Sequence, residues 1–265
     1  MKKILNEPYS EKYQERRRID WFFPDVPNGR ALLGIHGGGW SGGSKEQWHT
    51  VAEHFCEKGY TCASAEYRLG PENSFEDMIE DVRLAMAVFR RHSNEYDFRV
   101  DRIATLGSSA GGHLVAMLAT IGDDDTLGIS NEIENRHTRP DFAICYCPVL
   151  SLYDRGPVKG YFNDTARAML GCEYDENPNL FQTYTPLDRI TGGEPPFLFV
   201  HGDADETIPL RHSTEMHRAL LETGGSSRLV VLPGVGHGFG YGVASEAQKL
   251  GLRHISLALD DCWGQ

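Results

Sequence analysis

The chain has 265 residues, 40% hydrophobic and 24% charged, enough apolar material for a sizeable core, which excludes disorder, collagen or coiled coil as a description of the whole. Its 26 Lys and Arg against 38 Asp and Glu give a formal net charge of −12, which opposes phosphate backbones and anionic lipid and argues against nucleic-acid or membrane partners. No apolar run reads as a signal-peptide core or a membrane span, so a cytoplasmic location is expected.

In chain order, Arg16–Phe23 looks like part of a strand, and short β-rich apolar runs follow at Ala31–Ile35, Tyr60–Ala65, Ile103–Leu106, Phe142–Cys147, Phe197–Val200 and Leu229–Leu232. Helical patterns lie between them. Ser44 with Gln47 spells a capping box, Trp48, Val51, Ala52, Phe55 and Cys56 supply an apolar stripe, and Gly59 a stop. Ser74 with Asp77 opens a clearer helix, in which Phe75, Met78, Ile79, Val82, Ala85, Met86 and Phe89 keep the 3.6-residue period of a core-facing stripe. Further helices are expected near Ala110 and Leu210, and a last one through Ala247, Leu250 and Ile255. Alternation of this kind predicts an α/β fold, a mostly parallel central sheet with helices on both faces. A single domain over 1–265 is expected, with 151–194, rich in Gly, Pro, Asn and Asp and holding a short helix over Thr165–Leu170, as an insertion or small lid. The six cysteines contain no C-x-x-C pair; Cys145 and Cys147 would share one face of a strand as buried, inert thiols.

Gly107-Ser108-Ser109-Ala110-Gly111 follows a strand and opens a helix. That is the context of the G-x-S-x-G elbow, a turn tight enough to project a serine hydroxyl beyond the sheet edge, so Ser109 is the candidate nucleophile. Gly39-Trp40-Ser41-Gly42-Gly43 fits the same pattern, but it lies in an extended glycine loop away from both strand and helix, and Ser41 is set aside. That loop, His36-Gly37-Gly38-Gly39-Trp40, suits an anion hole instead: residues without side chains can turn successive amides toward one point, joined there by the amide of Ala110 after the nucleophile.

A serine hydroxyl needs a base, and the base needs a carboxylate to fix its tautomer. Two loops open after predicted strands, 201–209 with Asp203 and Asp205, and 233–239 with His237 between glycines. The order Ser109, Asp205, His237 is that of α/β-hydrolases. Metal chemistry is not expected: His201-x-Asp203-x-Asp205 and Asp123-Asp124-Asp125 lack the paired histidines of a zinc-hydrolase helix, and there is no nucleotide-binding glycine motif.

Taken together, HGGGW at 36–40, EYRLGPE at 66–72, GSSAGGH at 107–113, HGDADETIP at 201–209 and GHGF at 236–239 resemble the hormone-sensitive-lipase-like esterases. The similarity is greatest to their small bacterial branch of carbohydrate acetylesterase and feruloyl-esterase-like proteins, and it covers about Ala31 to Asp260. The resemblance implies an α/β-hydrolase fold without cofactor, with Ser109 as nucleophile, Asp205 rather than Asp203 as acid, His237 as base, and Gly38, Gly39 and Ala110 as the oxyanion hole. Trp40 and Ser108 become candidates to line the substrate. Larger relatives carry a helical cap before the HGGG strand, whereas 35 residues precede His36 here. A largely open site is therefore implied, suited to a short acyl group on a bulky alcohol such as an acetylated sugar or xylo-oligosaccharide. An arylformamidase-like amidase and a non-catalytic binding protein are the alternatives, and association into a homo-oligomer is compatible with the sequence.

Overall fold

A computed structural model describes residues 1–133 and 137–264. Eight strands form one sheet: β1 Lys2–Pro8, β2 Arg18–Phe23, β3 Gly29–Ile35, β4 Thr61–Ala65, β5 Phe98–Ser108, β6 Phe142–Tyr146, β7 Phe197–Gly202 and β8 Ser227–Leu232. Their spatial order is β1-β2-β4-β3-β5-β6-β7-β8. The pairs β1/β2 and β2/β4 are antiparallel and the rest parallel. From β3 the chain steps outward to β4, and from β5 it steps the other way. The reversal leaves a crevice at the carboxyl ends of β3 and β5, the place where open α/β sheets receive ligands. This is the α/β-hydrolase arrangement.

Side chains two apart on the strands feed one core and their neighbours the other. Trp21, Ala31, Leu33 and Ile35 join the layer under α2 Phe75–Arg91, α3 Ala110–Thr120 and α6 Arg211–Glu222. Phe22 and Leu32 join the opposite layer under α1 His49–Cys56 and α7 Glu246–Trp263. Both halves of the Ser74–Asp77 capping box form. At the first helix the expectation is corrected: Ser44 makes no side-chain cap, and Lys45–Trp48 form a 3₁₀ turn before α1, which pins the Trp48 indole to Ile35 O at 2.8 Å.

Among the described residues, one strand and one α-helix went unpredicted, besides a 3₁₀ turn at Pro186–Asp188. The strand is β1, polar and at the sheet edge; the helix is α5 Pro178–Thr183, which with α4 Asp164–Leu170 organises the 151–194 region. The two Cys residues near β6 do not share a strand face, because β6 ends at Tyr146 and Cys147 turns to φ 35°. Nor are all thiols buried: Cys172 is half-buried and Cys262 exposed.

The 66–72 motif serves as structure. Arg68 and Arg17 converge on the buried carboxylate of Asp81 in α2, Arg17 Nε at 2.7 Å and the Arg68 guanidinium from 2.8 Å, while the Arg68 amide donates at 2.7 Å. Glu80 closes the cluster on both arginines. Next to it, the Tyr67 hydroxyl donates to His36 O at 2.9 Å and its ring stacks on the His36 imidazole. The charge cluster thus props the strand end that carries the glycine loop. Among the described residues, no helix is long and apolar enough to cross a membrane.

Candidate active site

The site is built where β5 meets α3. Ser109 takes φ 57° and ψ −121°, a conformation unfavourable for a side-chain-bearing residue, held because its amide donates to Tyr146 O at 3.0 Å and α3 starts at once. Gly111 explains the second glycine of the motif: a Cβ there would lie 2.3 Å from Ile35 O and 2.4 Å from His36 O. The elbow is therefore wedged directly against the end of β3. Ala110, first residue of α3, presents an amide with no intrahelical acceptor at the positive end of the helix dipole.

The three remote residues converge. His237 Nε2 lies 2.9 Å from Ser109 Oγ and His237 Nδ1 lies 2.7 Å from Asp205 Oδ2. A carboxylate only accepts, so Nδ1 carries the proton and Nε2 offers its lone pair to the serine hydroxyl. Asp205 Oδ1 accepts from the Thr207 and Ile208 amides at 2.9 and 2.8 Å. Burial pushes the Asp205 carboxyl up, but hydrogen bonds from His201, His237 and the Ile208 amide outweigh it and hold the group well below the usual carboxylate range. Burial lowers the His237 imidazole, and Asp205 and the neighbouring Cys147 outweigh that and raise it above its ordinary value. Asp203 lies elsewhere, accepting from the Gly234 amide at 2.6 Å and so tying the two loops together. His201 bridges Ser213 Oγ and Ile208 O at 2.8 and 2.9 Å.

Gly38 and Gly39 face the crevice with φ 115° and 60°. At Gly38 a Cβ would meet Gly42 O at 2.3 Å, since the loop closes through Ser41 and Gly42 amides onto Gly38 O. The other two candidates are corrected. Trp40 and Ser108 are fully buried and do not line an open surface. The Trp40 indole donates to His113 Nδ1 at 3.2 Å and packs on Phe75, while Ser108 Oγ faces Cys147 Sγ at 3.6 Å. A bulky aromatic at φ 63° after three glycines anchors the loop in the core, leaving Gly37 buried, Gly39 half-buried and Gly38 exposed.

Four supporting residues escaped the sequence reading. His113 receives Trp40 and donates through Nε2 to Tyr184 O at 2.8 Å; burial holds its pKa at about 4, so it stays neutral. The Tyr241 hydroxyl accepts from the Gly37 amide at 2.8 Å and pairs with the Ser108 side chain. It thereby joins the histidine loop to the other two. Asn163 caps α4 and reaches Gly39 O at 3.4 Å, laying the 151–194 region beside the glycine loop. Cys147 lies against the triad. His113 belongs to the GSSAGGH motif and Tyr241 follows the glycine-flanked His237, which were the available signals; Asn163 and Cys147 had none.

A parallel sheet with a strained serine at its switch point, an imidazole and a carboxylate in line, defines the chain as an α/β-hydrolase. The BD-FAE family model matches residues 20–220, and the chain belongs to that family. It is 31% identical over 245 residues to the esterase LipC of Mycobacterium tuberculosis, covering 86% of this chain and 60% of that protein. It is 25% identical over 224 residues to an acetylxylan esterase of Xylanibacter ruminicola, covering 83% and 43%. The chain thus spans about half the length of these curated relatives. Among solved structures, the apo form of Thermogutta terrifontis esterase 2 superposes with a TM-score of 0.80 at 26% identity, over 97% of this chain and 94% of that one. A truncated carbohydrate esterase from gut microbiota shares the fold, with a TM-score of 0.85 at 19% identity over 99% and 96%.

Proposed function

We propose that the chain is a serine carboxylesterase that removes short acyl groups, most suitably acetyl, from sugars or xylo-oligosaccharides. The observation that carries the reading is the unbroken line from Ser109 Oγ through His237 to Asp205, at 2.9 and 2.7 Å. In the first half-reaction Ser109 Oγ attacks the ester carbonyl and its proton passes to His237 Nε2. The oxyanion is received by the Gly38, Gly39 and Ala110 amides, and His237 returns the proton to the departing alkoxide. In the second, water takes the place of the alcohol and gives its proton to Nε2; the acyl–Oγ bond breaks, His237 returns the proton to Ser109 Oγ, and the acid is released. Asp205 keeps the Nδ1 tautomer in place and stabilises the imidazolium formed in each half.

Ester chemistry is supported by LipC and the acetylxylan esterase among the relatives, and the sugar alcohol by the second of these names. Compatible with an open site, residues 2–8 and 18–23 lie in the sheet as β1 and β2. The deciding measurement compares hydrolysis of an aryl acetate, an acetylated xylo-oligosaccharide and N-formylkynurenine, with aryl esters of increasing acyl length. Acetate is expected to exceed octanoate, and the xylo-oligosaccharide to exceed the formamide in kcat/KM. Faster formamide turnover makes the chain an amidase, and octanoate preference removes the open-site argument.

A further inference from the structure

Cys147 stands at the triad without a part in the reaction above. It follows β6 directly, is fully buried and holds φ 35°, a left-handed conformation that a non-glycine residue keeps only when its surroundings impose it. Ser109, at the end of the adjacent strand β5, is held in the same way. Both strained residues thus mark the rim of one crevice.

What this places together is a donor set. Cys147 Sγ, a ring nitrogen of His237 and a carboxylate oxygen of Asp205 all lie within 4.8 Å of one another. Thiolate, imidazole and carboxylate bind Zn²⁺ at about 2.3, 2.0 and 2.1 Å, so the donors of a tetrahedral site stand roughly 3.3–3.8 Å apart. The His237–Asp205 contact of 2.7 Å has only to open slightly to admit the ion. The carboxylate and the thiolate together balance the charge of a divalent cation.

We propose that Cys147, His237 and Asp205 form a site for a thiophilic divalent cation, Zn²⁺ or Cd²⁺, whose occupation silences the triad. Binding forms metal–sulfur, metal–nitrogen and metal–oxygen bonds and releases one proton from the Cys147–His237 pair. The bound imidazole is left with a single N–H. If Nε2 takes the metal, the lone pair facing Ser109 is used up. If Nδ1 takes it, the proton moves to Nε2 and the tautomer is reversed. In both cases the ring can no longer accept the Ser109 proton. A hard cation such as Mg²⁺, which demands several oxygen ligands, is excluded by the sulfur and nitrogen donors. Three protein ligands make the site reversible by a chelator.

The consequence for activity rests on the esterase reading; the site itself does not, and the test separates the two. The full chain is stripped by chelation and titrated with Zn²⁺, Cd²⁺ and Mg²⁺. Aryl acetate hydrolysis and the ultraviolet charge-transfer band of Cd²⁺–thiolate are followed in the wild type, Cys147→Ser and Cys147→Ala. Inhibition is scaled to each protein's own uninhibited rate. In the wild type, Zn²⁺ and Cd²⁺ inhibit, chelator restores the rate, Mg²⁺ does nothing, and the Cd²⁺ band rises with the same midpoint as the inhibition. Loss of the thiol shifts that midpoint upward by roughly 10–100-fold or more and removes the corresponding part of the band. Equal sensitivity of wild type and variants, or a wild-type band that rises independently of inhibition, overturns the site, the second without recourse to a variant. A Cys147-dependent band on a protein that hydrolyses no ester leaves the site standing and removes the esterase reading.

Discussion

Two polar clusters in this molecule are both largely out of water, one gathered around Asp81 and the other around Asp205. In one, the Asp81 carboxylate is met by the Arg17 and Arg68 side chains and by the Arg68 amide, and Glu80 answers the same guanidinium groups. In the other, a single carboxylate, Asp205, starts a line that runs through the His237 imidazole and ends on the half-buried hydroxyl of Ser109. The first is closed, with each formal charge facing its opposite. The second is open-ended, and its last atom faces the crevice. On the proposed esterase reading, reactivity belongs to the cluster whose hydrogen bonds lead outward, while the closed cluster supplies rigidity.

That contrast can be broken by mutation. The largest effect is expected for Ser109→Ala and His237→Ala, each lowering kcat by about 10⁶-fold; Ser109→Ala should leave the melting curve nearly unchanged, whereas His237→Ala removes a partner of the buried Asp205 carboxylate and should lower Tm. A serine-directed organophosphorus label followed by peptide mapping gives the same answer chemically: modification at a residue other than Ser109 sinks the assignment. Asp205→Asn should lower kcat by about 10⁴-fold. It should also move the acid limb of the pH–rate profile. The active form has a neutral imidazole, so activity falls as pH drops through the His237 pKa. Asp205 raises that pKa, so removing its charge carries the limb to lower pH. A limb that stays in place would mean another group titrates there.

Gly38→Ala tests the anion hole. The added methyl meets Gly42 O, and the strained φ disfavours it, so the loop must shift. A loss of about 10²–10³ in kcat with little change in KM is expected. At the closed cluster the outcome reverses. Asp81→Ala leaves two buried guanidinium groups sharing Glu80 alone and should cost about 3–5 kcal/mol of stability, a fall of roughly 10 °C in Tm. Well below that Tm, kcat should stay within an order of magnitude of the wild type, since Asp81 touches no group in the reaction. A larger fall would show that the prop under His36 tunes the glycine loop.

Much of this arrangement was legible because local signals and tertiary demands agree. The parallel strands are short apolar runs that need both faces covered. The Ser74–Asp77 box and the apolar stripe that follows it describe α2, and the glycines at 107 and 111 announce a turn that no side chain would fit. The failures have physical causes. β1 is polar and exposed at the sheet edge, so no alternation marked it. Ser44 carries the letters of a cap, yet the Trp48–Ile35 bond tightens the chain into a 3₁₀ turn and the cap bond is never made. Trp40 sits among glycines and suggests a side chain lining the substrate, but its indole finds His113 inside the core. Cys147 continues an apolar run by composition, and only the fold reveals that the strand has already ended.

The wedge at Gly111 has a bearing on how such enzymes can be rebuilt. Helix α3 abuts the carbonyls of Ile35 and His36 so closely that a methyl group has no room. The Ser109 elbow and the glycine loop are therefore registered by bare backbone contact, with no side chain in between to absorb a mismatch. A chimera that imports one of these segments from a distant homologue inherits half of a fitted joint; transplanting both together preserves it.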